Sequence, residues 1–221
     1  ETMHNVPVTC IGVEAFKYCD KLISIDIPNT ITSIEKSAFD MCSSLTSVVL
    51  PESIISISDS TFEYCKNLES VFIPDSVTII GKFAFNTCRK LSTITIPSSV
   101  TDIGSGAFNE CDGLKSVYIS DISAWCQISF GGMEANPLEH ADNFYINGEY
   151  VKEIVIPEGV TSIGGYAFAG HSTLTEITIP QSVKSIGKYA FKDCISLKNV
   201  YITDLAAWCN MSIDGYEATP L

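Results

Sequence analysis

Cysteine and histidine are the residues of this chain that could do nucleophilic chemistry. Nine cysteines and three histidines are present, and a thiol beside an imidazole base can act as a nucleophile. The candidate bases are His171 and His140. Five cysteines recur every 23 residues: Cys19, Cys42, Cys65, Cys88 and Cys111. His171 and Cys194 take the same position in later copies. A packed interior lacks the orienting group and oxyanion site that activation needs, so we expect no catalytic or metal role for His171.

The same spacing argues against disulfides. In a stack of turns about 4.8 Å apart, equivalent side chains point the same way, and parallel Cβ vectors do not bring two sulfurs together without distortion. The odd number of cysteines and the absence of a C-x-x-C pair point in the same direction. We therefore predict that the five equivalent cysteines are reduced and buried, packed as small apolar groups.

Acid-base chemistry by paired carboxylates is the second possibility. Glu134 and Glu217 occupy matching positions of a duplicated stretch, and two carboxylates about 5 to 9.5 Å apart can hydrolyse a glycoside. As copies about three turns apart they should not meet. Trp125-Cys126 and Trp208-Cys209 could form an aromatic ligand site, but they follow apolar residues and are better explained as plugs of the core. No phosphate-binding loop or D-x-D-x-D-G metal loop is present, and we expect no cofactor.

A repeat positions all of these residues. Its clearest copy is Ile80 to Asp102, IGKFAFNTCRKLSTITIPSSVTD, with the pattern I-G-x-x-A-F-x-x-C-x-x-L-x-x-V-x-I-P. The phenylalanine position holds Phe16, Phe39, Phe62, Phe85, Phe108, Phe168 and Phe191, and the proline position holds Pro28, Pro51, Pro74, Pro97, Pro157 and Pro180. A fixed period of this length is the signature of a solenoid, whose units bury their apolar faces only by stacking on neighbours.

Each part of the repeat has its own structural prediction. L-x-x-V-x-I alternates apolar and polar residues and is β-branched, so it predicts a strand with one buried face, and successive copies must pair in parallel. The following proline lacks an N–H and should end the strand. V-T-x-I-G should be a second short extended piece. A-F-x-x-C should return as a helical turn whose phenylalanine fills the interior.

This unit resembles the BspA-type leucine-rich repeat, which is found in surface proteins of bacteria and of some protists. The resemblance covers about residues 8 to 221, with few departures such as Thr61 for alanine and His171 for cysteine. It implies a right-handed α/β leucine-rich-repeat solenoid of about eight turns with a parallel β-sheet. We expect residues 1–221 to form a single domain, taken as a fragment of a longer repeat array because it starts at Glu1.

The period breaks once. The interval from Ser120, in the proline position, to Pro157 is 37 residues, so we predict a 14-residue insertion. Val117 to Leu138 reappears as Val200 to Leu221, which makes the larger unit a duplication. In each copy an aspartate, Asp121 or Asp204, precedes apolar residues and predicts the N-cap of a short helix. Phe144 to Val151, FYINGEYV, predicts a hairpin that turns at Asn-Gly.

The charge composition restricts the classes of molecule that the chain could bind. With 13 basic and 26 acidic residues the net charge is −13, which opposes nucleic acid and anionic lipid. No apolar run approaches the roughly 18 to 20 residues that a membrane-spanning helix needs. The uncapped ends of a solenoid expose apolar surface and strand edges, so we also expect weak self-association through them, which an extension beyond Leu221 should reduce.

The outward face of the strands is the candidate binding surface. The position between Val and Ile holds Asp26, Val49, Phe72, Thr95, Tyr118, Val155, Thr178 and Tyr201. Lys115 and Lys198 should lie on the strands of Tyr118 and Tyr201. Our predicted ligand-binding set is Val49, Phe72, Lys115, Tyr118, Lys198 and Tyr201, although the aromatic residues could instead only stabilise the sheet by cross-strand packing.

The family resemblance implies a non-catalytic recognition or adhesion module, on the cell surface or secreted, that binds host or cell-surface proteins. A glycan-binding module is the alternative, since exposed tyrosine and phenylalanine rings stack on sugars. A repeat scaffold attached to an enzyme elsewhere in a longer chain is the third possibility.

Overall fold

The chain folds as a solenoid of about nine turns with short parallel strands on two sides. The computed structural model describes residues 7–215 and 218–220. The strands that carry L-x-x-V-x-I, with the hairpin, are β3 (Ser47–Val49), β5 (Ser70–Phe72), β7 (Thr93–Thr95), β9 (Ser116–Ile119), β11 (Asn143–Ile146), β12 (Glu149–Tyr150), β13 (Glu153–Val155), β15 (Glu176–Ile179) and β17 (Asn199–Ile202). The expected parallel leucine-rich-repeat solenoid is confirmed.

The second side is built from two-residue strands that precede the conserved turn of the repeat. They are β1 (Cys10–Ile11), β2 (Ser33–Ile34), β4 (Ser56–Ile57), β6 (Ile79–Ile80), β8 (Asp102–Ile103), β10 (Ser129–Phe130), β14 (Ser162–Ile163), β16 (Ser185–Ile186) and β18 (Ser212–Ile213). They pair in parallel as β1-β2, β4-β6-β8-β10 and β14-β16-β18. In register, each isoleucine stacks on its equivalent, as Ile80 does on Ile57 and Ile103.

The A-F-x-x-C segment differs from the expected helical turn. It consists of consecutive hydrogen-bonded turns in which the residues two before and two after the phenylalanine have positive φ. In one turn these are Ser60, at 56°, and Tyr64, at 58°. Their N–H groups donate to the next turn, from Ser60 to Lys82 O at 2.8 Å and from Tyr64 to Asn86 O at 2.8 Å. These inter-turn bonds offset the cost of about 1 to 3 kcal/mol for each left-handed residue.

The phenylalanines stack along the interior as predicted. Neighbouring rings have centroids 5.2 to 5.6 Å apart along the series Phe16, Phe39, Phe62, Phe85 and Phe108. Phe168 and Phe191 form a second stacked pair at 5.4 Å. From Phe39 to Phe168 the members are completely buried. Within each of these two runs a ring contacts its equivalent in the adjacent turn, so the stack passes from turn to turn and no single repeat could form it alone.

The predicted 14-residue insertion contains an unrecognised turn. Strand β11 pairs in parallel with β9, with Phe144 opposite Val117, so Phe144 occupies the valine position of a further turn. In this turn Ala135, Leu138 and Ala141 replace Phe, Cys and Leu, and all are buried. The interval from Ser120 to Pro157 therefore divides at Asn147 into a turn of 27 residues and a hairpin return of 10. The insertion is thus a four-residue lengthening of one turn plus a ten-residue hairpin.

The hairpin and both short helices are confirmed. Strands β11 and β12 pair antiparallel, and the turn residues Asn147 and Gly148 have φ of 52° and 82°. Helix α1 is Ile122–Trp125 and helix α2 is Leu205–Cys209, with 3₁₀ turns at Met133–Ala135 and Pro137–Glu139. Asp121 Oδ1 accepts the N–H groups of Ser123 and Ala124, and Asp204 Oδ1 accepts that of Ala207, so both aspartates are the expected N-caps.

Helix α1 replaces the normal contact between turns at the hairpin. The indole of Trp125 is buried in the core, with its ring 5.3 Å from those of Phe130 and Phe144, and its Nε1–H donates to Ala167 O at 2.8 Å. Gly164 N–H donates to Cys126 O at 2.7 Å, and Asn136 Nδ2 donates to Tyr166 O at 2.7 Å. We call this contact between residues 121–136 and residues 163–173 the junction. The interpretation of Trp125 as a core plug is therefore confirmed.

Candidate functional site

The outward position of the strands forms one column along the sheet. Register places Val49 opposite Phe72, Thr95 opposite Tyr118, and Thr178 between Val155 and Tyr201. Val49 is 65% exposed, Phe72 52% and Tyr201 51%. The side chains alternate along each strand, so the neighbouring valine or isoleucine points inward. The column therefore presents large apolar side chains to solvent.

Tyr118 differs from the other predicted contact residues because it is half-buried in an aromatic cluster. Its ring stacks on Tyr145 with centroids 4.5 Å apart, and Tyr145 contacts Tyr150 at 5.6 Å. Lys152 Nζ lies 5.5 Å from the centre of the Tyr150 ring. We call Tyr118, Tyr145 and Tyr150 the hairpin tyrosines. Tyr145 and Tyr150 were not predicted as site residues, because the sequence did not reveal that β11 joins the sheet.

Lys115 and Lys198 were predicted to lie on the strands. Both lie immediately before them instead. Strand β9 begins at Ser116 and β17 begins at Asn199. The reason is that the backbone at this position still belongs to the corner, where Lys115 N–H donates to Ser92 O and Lys198 N–H donates to Thr175 O. Both lysines are exposed at the edge of the outward column.

A cleft of about 430 Å³ opens on the same face at the first turns. Its walls combine the apolar side chains of Val49 and Phe72 with the carboxylates of Asp26 and Glu52 and the amide of Asn29. All five residues are exposed. The cleft therefore offers an apolar wall and negative charge together, which suits an aliphatic or aromatic group that carries a positive charge.

A second cleft, not predicted from the sequence, lies along the left-handed turns. Tyr18, Met41 and Tyr64 occupy the position two after the phenylalanine in successive turns, and Asp20, Ser43 and Lys66 complete the lining. Met41 has φ of 62°, close to the values of its two neighbours. The recurrence of tyrosine at one repeat position was the available signal, but a helical turn would have placed these side chains differently.

The cysteine column is a structural element with a specific hydrogen bond. Each thiol donates to the phenylalanine carbonyl of the preceding turn, from Cys65 to Phe39 O at 3.2 Å and from Cys88 to Phe62 O at 3.2 Å. Equivalent bonds are made by Cys42, Cys111 and Cys194. Burial raises the pKa of Cys42 to about 11 and that of Cys111 to about 12. These thiols are therefore poor nucleophiles at neutral pH.

One part of the cysteine prediction is wrong. All nine cysteines are free thiols, and Cys42, Cys65, Cys88 and Cys111 are buried, but Cys19 is exposed. Phe16 O of the turn before accepts the Cys42 thiol, whereas the described residues provide no such carbonyl for Cys19. Cys10 and Cys209 are also exposed.

His171 is a buried core residue. Its ring lies edge-on to Phe144, with centroids 5.4 Å apart, and neither ring nitrogen has a hydrogen-bond partner among the described residues. Burial lowers the pKa of His171 to about 4. The thiol of Cys194 is directed to Phe168 O, and burial raises its pKa to about 12. The two side chains are therefore not arranged as a base and a nucleophile.

The remaining candidate acids and bases do not assemble either. His140 Nε2 lies 4.0 Å from Glu139 Oε2, and burial lowers the pKa of His140 and raises that of Glu139. Glu134 is exposed in a 3₁₀ turn, and Glu217 lies outside the described residues. Within residues 7–215 and 218–220, no group of three or more His, Cys, Asp or Glu side chains is placed to hold a metal ion.

These features define a class: a leucine-rich-repeat solenoid whose distinctive surface is the outward face of a parallel sheet. The profile of the BspA type leucine-rich repeat region matches residues 9–134 and 140–210 in six copies. The chain therefore belongs to the BspA-type leucine-rich-repeat family. No curated protein matches the chain. No helix in the described part of the chain is long and apolar enough to cross a membrane.

Solved structures of bacterial repeat proteins are similar to this chain. A leucine-rich repeat protein of T. pallidum is 25% identical, with a TM-score of 0.55 over 89% of this chain and 74% of its own. A leucine-rich cell surface protein of Faecalibacterium prausnitzii is 26% identical, with a TM-score of 0.42 over 95% of this chain and 73% of its own. The pneumococcal vaccine antigen PcpA is 21% identical, with a TM-score of 0.52 over 88% of this chain and 56% of its own.

Proposed function

We propose that this domain is a non-catalytic recognition module that binds a protein partner through the outward face of its sheet. The observation that carries the proposal is the column of Val49, Phe72 and Tyr201, each more than half exposed on a face where no core packing requires an apolar residue. We place its action on the cell surface or in a secreted protein, in keeping with the family resemblance. Adhesion to host or neighbouring cells is the biological role that this placement suggests.

The first turns supply the best anchoring point. Val49 and Phe72 line the cleft beside Asp26 and Glu52. A lysine or arginine side chain of the partner can pack its aliphatic stem on the apolar wall and place its charge between the two carboxylates. The net charge of −13 further favours a basic partner surface and raises its association rate at low ionic strength.

The test compares two triple variants. In the first, Val49→Ser, Phe72→Ser and Tyr201→Ser remove the column. In the control, Ile55→Ser, Ile195→Ser and Phe83→Ser remove exposed apolar residues that lie off this face. Partners found on an array of matrix and cell-surface proteins should lose binding to the first variant and retain it with the control. Aromatic anchors commonly contribute about 2 kcal/mol or more each, so the loss should be complete at ordinary concentrations.

Melting temperature distinguishes recognition from packing. All six substituted side chains are exposed, so both variants should unfold close to the wild-type temperature. If the column variant unfolds much earlier while its folded fraction binds normally, the column is a packing feature and the proposal is wrong.

Glycan binding is a second candidate, favoured by the hairpin tyrosines. Stacked rings that end in an exposed tyrosine provide a platform for a sugar ring. Tyr150→Ser should abolish a signal on a glycan array if this candidate is correct, and the column variant should then leave that signal unchanged. Binding lost only in the column variant would favour the protein partner.

A further inference from the structure

The position that follows the core phenylalanine holds a polar residue in five successive turns. Its members are Lys17, Asp40, Glu63, Asn86 and Asn109. The main chain joins these turns beside the side chains, since Met41 N–H donates to Glu63 O at 2.8 Å and Tyr64 N–H donates to Asn86 O at 2.8 Å. Equivalent side chains therefore lie one turn apart. We call these five residues the polar column.

The polar column is held together by side-chain contacts from both of its ends. Asn109 Nδ2 donates to Asn86 Oδ1 at 2.9 Å, and Asn86 Nδ2 donates to Glu63 Oε1 at 2.8 Å. At the other end, Lys17 Nζ lies 3.3 Å from Asp40 Oδ2. Glu63 thus has a donor from the following turn, and Asp40 has one from the preceding turn.

The interval between Asp40 and Glu63 has no donor. Among the described residues this is the one adjacent pair of the polar column whose side chains share neither a hydrogen bond nor an ion pair. Asp40 is only 6% exposed, and its Oδ1 is buried without a hydrogen-bond partner. Ionised carboxylates only accept hydrogen bonds, so two acceptors meet here and a buried acceptor stays unpaired.

Charged groups reach Asp40 from both neighbouring turns. Burial raises the pKa of its carboxyl, and the negative charges of Glu63 and Glu14 raise it further. The ammonium of Lys17 lowers the pKa of Asp40, but burial is the larger effect. The folded chain therefore favours the neutral form of Asp40 more than the unfolded chain does.

The cysteine column supplies the remaining titrating groups near Asp40, the thiols of Cys42 and Cys65. Burial raises the pKa of both thiols, that of Cys42 to about 11. Both are therefore neutral at physiological pH, and neither brings a charge to Asp40.

From this arrangement we propose that Asp40 and Glu63 share one proton in the folded chain, carried on Asp40 Oδ1 and donated to the carboxylate of Glu63. Asp40 carries it because it is the more deeply buried of the two, whereas Glu63 is half-buried and accepts from Asn86. The proton supplies the missing donor and makes the polar column continuous from Lys17 to Asn109.

The shared proton makes the contact between these two turns sensitive to pH. The folded-state pKa of Asp40 lies above its ordinary value of 3.8, so folding takes up a proton between the two values. The stability that the pair contributes is complete below pH 3.8 and is lost as pH rises through the folded-state pKa. This sign is opposite to that of a buried histidine, whose contribution is lost as pH falls.

Titration of the side-chain carboxyl carbons, followed by NMR, tests where the proton lies. In the wild-type chain Asp40 should titrate above 3.8. In Glu63→Gln the amide donates to an ionised Asp40 and the neighbouring charge is gone, so the pKa of Asp40 should fall below its wild-type value. A wild-type Asp40 that titrates at or below 3.8 would refute the proposal, because both carboxylates would then be ionised with a water molecule or a cation between them.

Asp40→Asn supplies the missing donor at every pH. The amide can donate to Glu63 while its oxygen accepts from Lys17, so no proton is taken up. The urea midpoint of this variant should rise relative to wild type as pH increases from 4 to 8. Asp75→Asn, which removes an exposed carboxylate outside the polar column, is the matched control for net charge. Its midpoint should not show this rise.

A second variant covers the case in which Asp40→Asn does not fold. Glu63→Gln supplies the same donor from the other side of the interval, so its midpoint should also rise relative to wild type between pH 4 and pH 8. All other titrating groups are common to these proteins. Variants at Asp40 and Glu63 whose midpoints follow that of Asp75→Asn at every pH would contradict the shared proton.

Discussion

The thiol of Cys88 lies 3.2 Å from the carbonyl oxygen of Phe62, one turn earlier. The same oxygen accepts the N–H of Cys65 at 3.1 Å within its own turn. Both lone pairs of a buried carbonyl are thereby used, one by the local turn and the other by the next turn of the solenoid. This explains why a small side chain with a donor suits the position better than an aliphatic residue of similar size.

The shared carbonyl predicts the order of two substitutions at Cys88. Cys88→Ala removes the donor and leaves a small cavity, at a cost of about 1 to 2 kcal/mol. Cys88→Ser places a hydroxyl in a fully buried position, but that hydroxyl can donate to Phe62 O. We expect the serine variant to be at least as stable as the alanine variant in urea unfolding. A serine variant clearly less stable than alanine would show that the thiol acts only by packing.

Thiol reactivity should follow exposure. Three cysteines are exposed, and six are buried or half-buried. In the native protein a thiol reagent should therefore modify three groups rapidly, Cys10, Cys19 and Cys209, and the other six after denaturation. Mass mapping identifies the labelled sites. Rapid native labelling of Cys65 or Cys88, or a disulfide between any two column cysteines, would contradict this prediction.

The phenylalanine stack should dominate stability. Phe85 is completely buried between Phe62 and Phe108, so Phe85→Ala should reduce the free energy of unfolding by roughly 3 to 5 kcal/mol. Phe72 is the same residue type on the outward face, and Phe72→Ala should change that free energy by only about 0.5 kcal/mol. Urea unfolding of both variants measures the difference. Equal losses would mean that Phe72 is a core residue.

His171 should make the protein sensitive to mild acid. Burial lowers its folded-state pKa from 6.5 to about 4, so the unfolded chain takes up the proton first as pH falls. The associated stability is complete above pH 6.5 and is lost progressively between pH 6.5 and pH 4, by up to about 3 kcal/mol. His171→Leu has no titrating group at this position.

The measurement for His171 is urea unfolding of wild type and His171→Leu at pH 7.5 and at pH 5. The wild type should lose more stability than the variant between the two values, since the other titrating groups are common to both. An equal loss in the two proteins would assign the acid sensitivity to other residues.

Much of the fold could be predicted because the repeat positions have a direct physical meaning. Phe85 and Leu91 are buried, as are the phenylalanines and leucines at their positions between residues 39 and 174, and Pro97 and its equivalents mark the end of the strand. The turn that contains Ala135 and Leu138 was not recognised, because it keeps the shape of the repeat with different residues. The core there contains the indole of Trp125 packed on Phe130 and Phe144, and contacts between such distant positions do not appear in a periodic pattern.

The candidate site was predicted in part for a similar reason. Alternation along each strand placed Phe72 and Tyr201 on the outward face, where the structure has them. Exposure depends on neighbours as well as on direction, and Tyr118 is covered by Tyr145 from the hairpin. The cleft at Tyr18 was missed because left-handed backbone at a tyrosine is uncommon, so the recurring tyrosine position was assigned to a helical turn.

We expect the junction also to separate two cooperative folding units. Ordinary turns are joined by several backbone hydrogen bonds. In the described part of the chain, the main chains across the junction are joined only by the hydrogen bond from Gly164 N–H to Cys126 O. Among the described strands, none pairs with both β12 and β13. Solenoids are stabilised by contacts between nearest neighbours, so opening spreads easily within a run of ordinary turns and stops where the coupling changes. Native-state hydrogen exchange should therefore resolve two blocks of protection, with the amides of each block exchanging together. Loss of the indole of Trp125 would separate these blocks further, while either block could still melt as a unit.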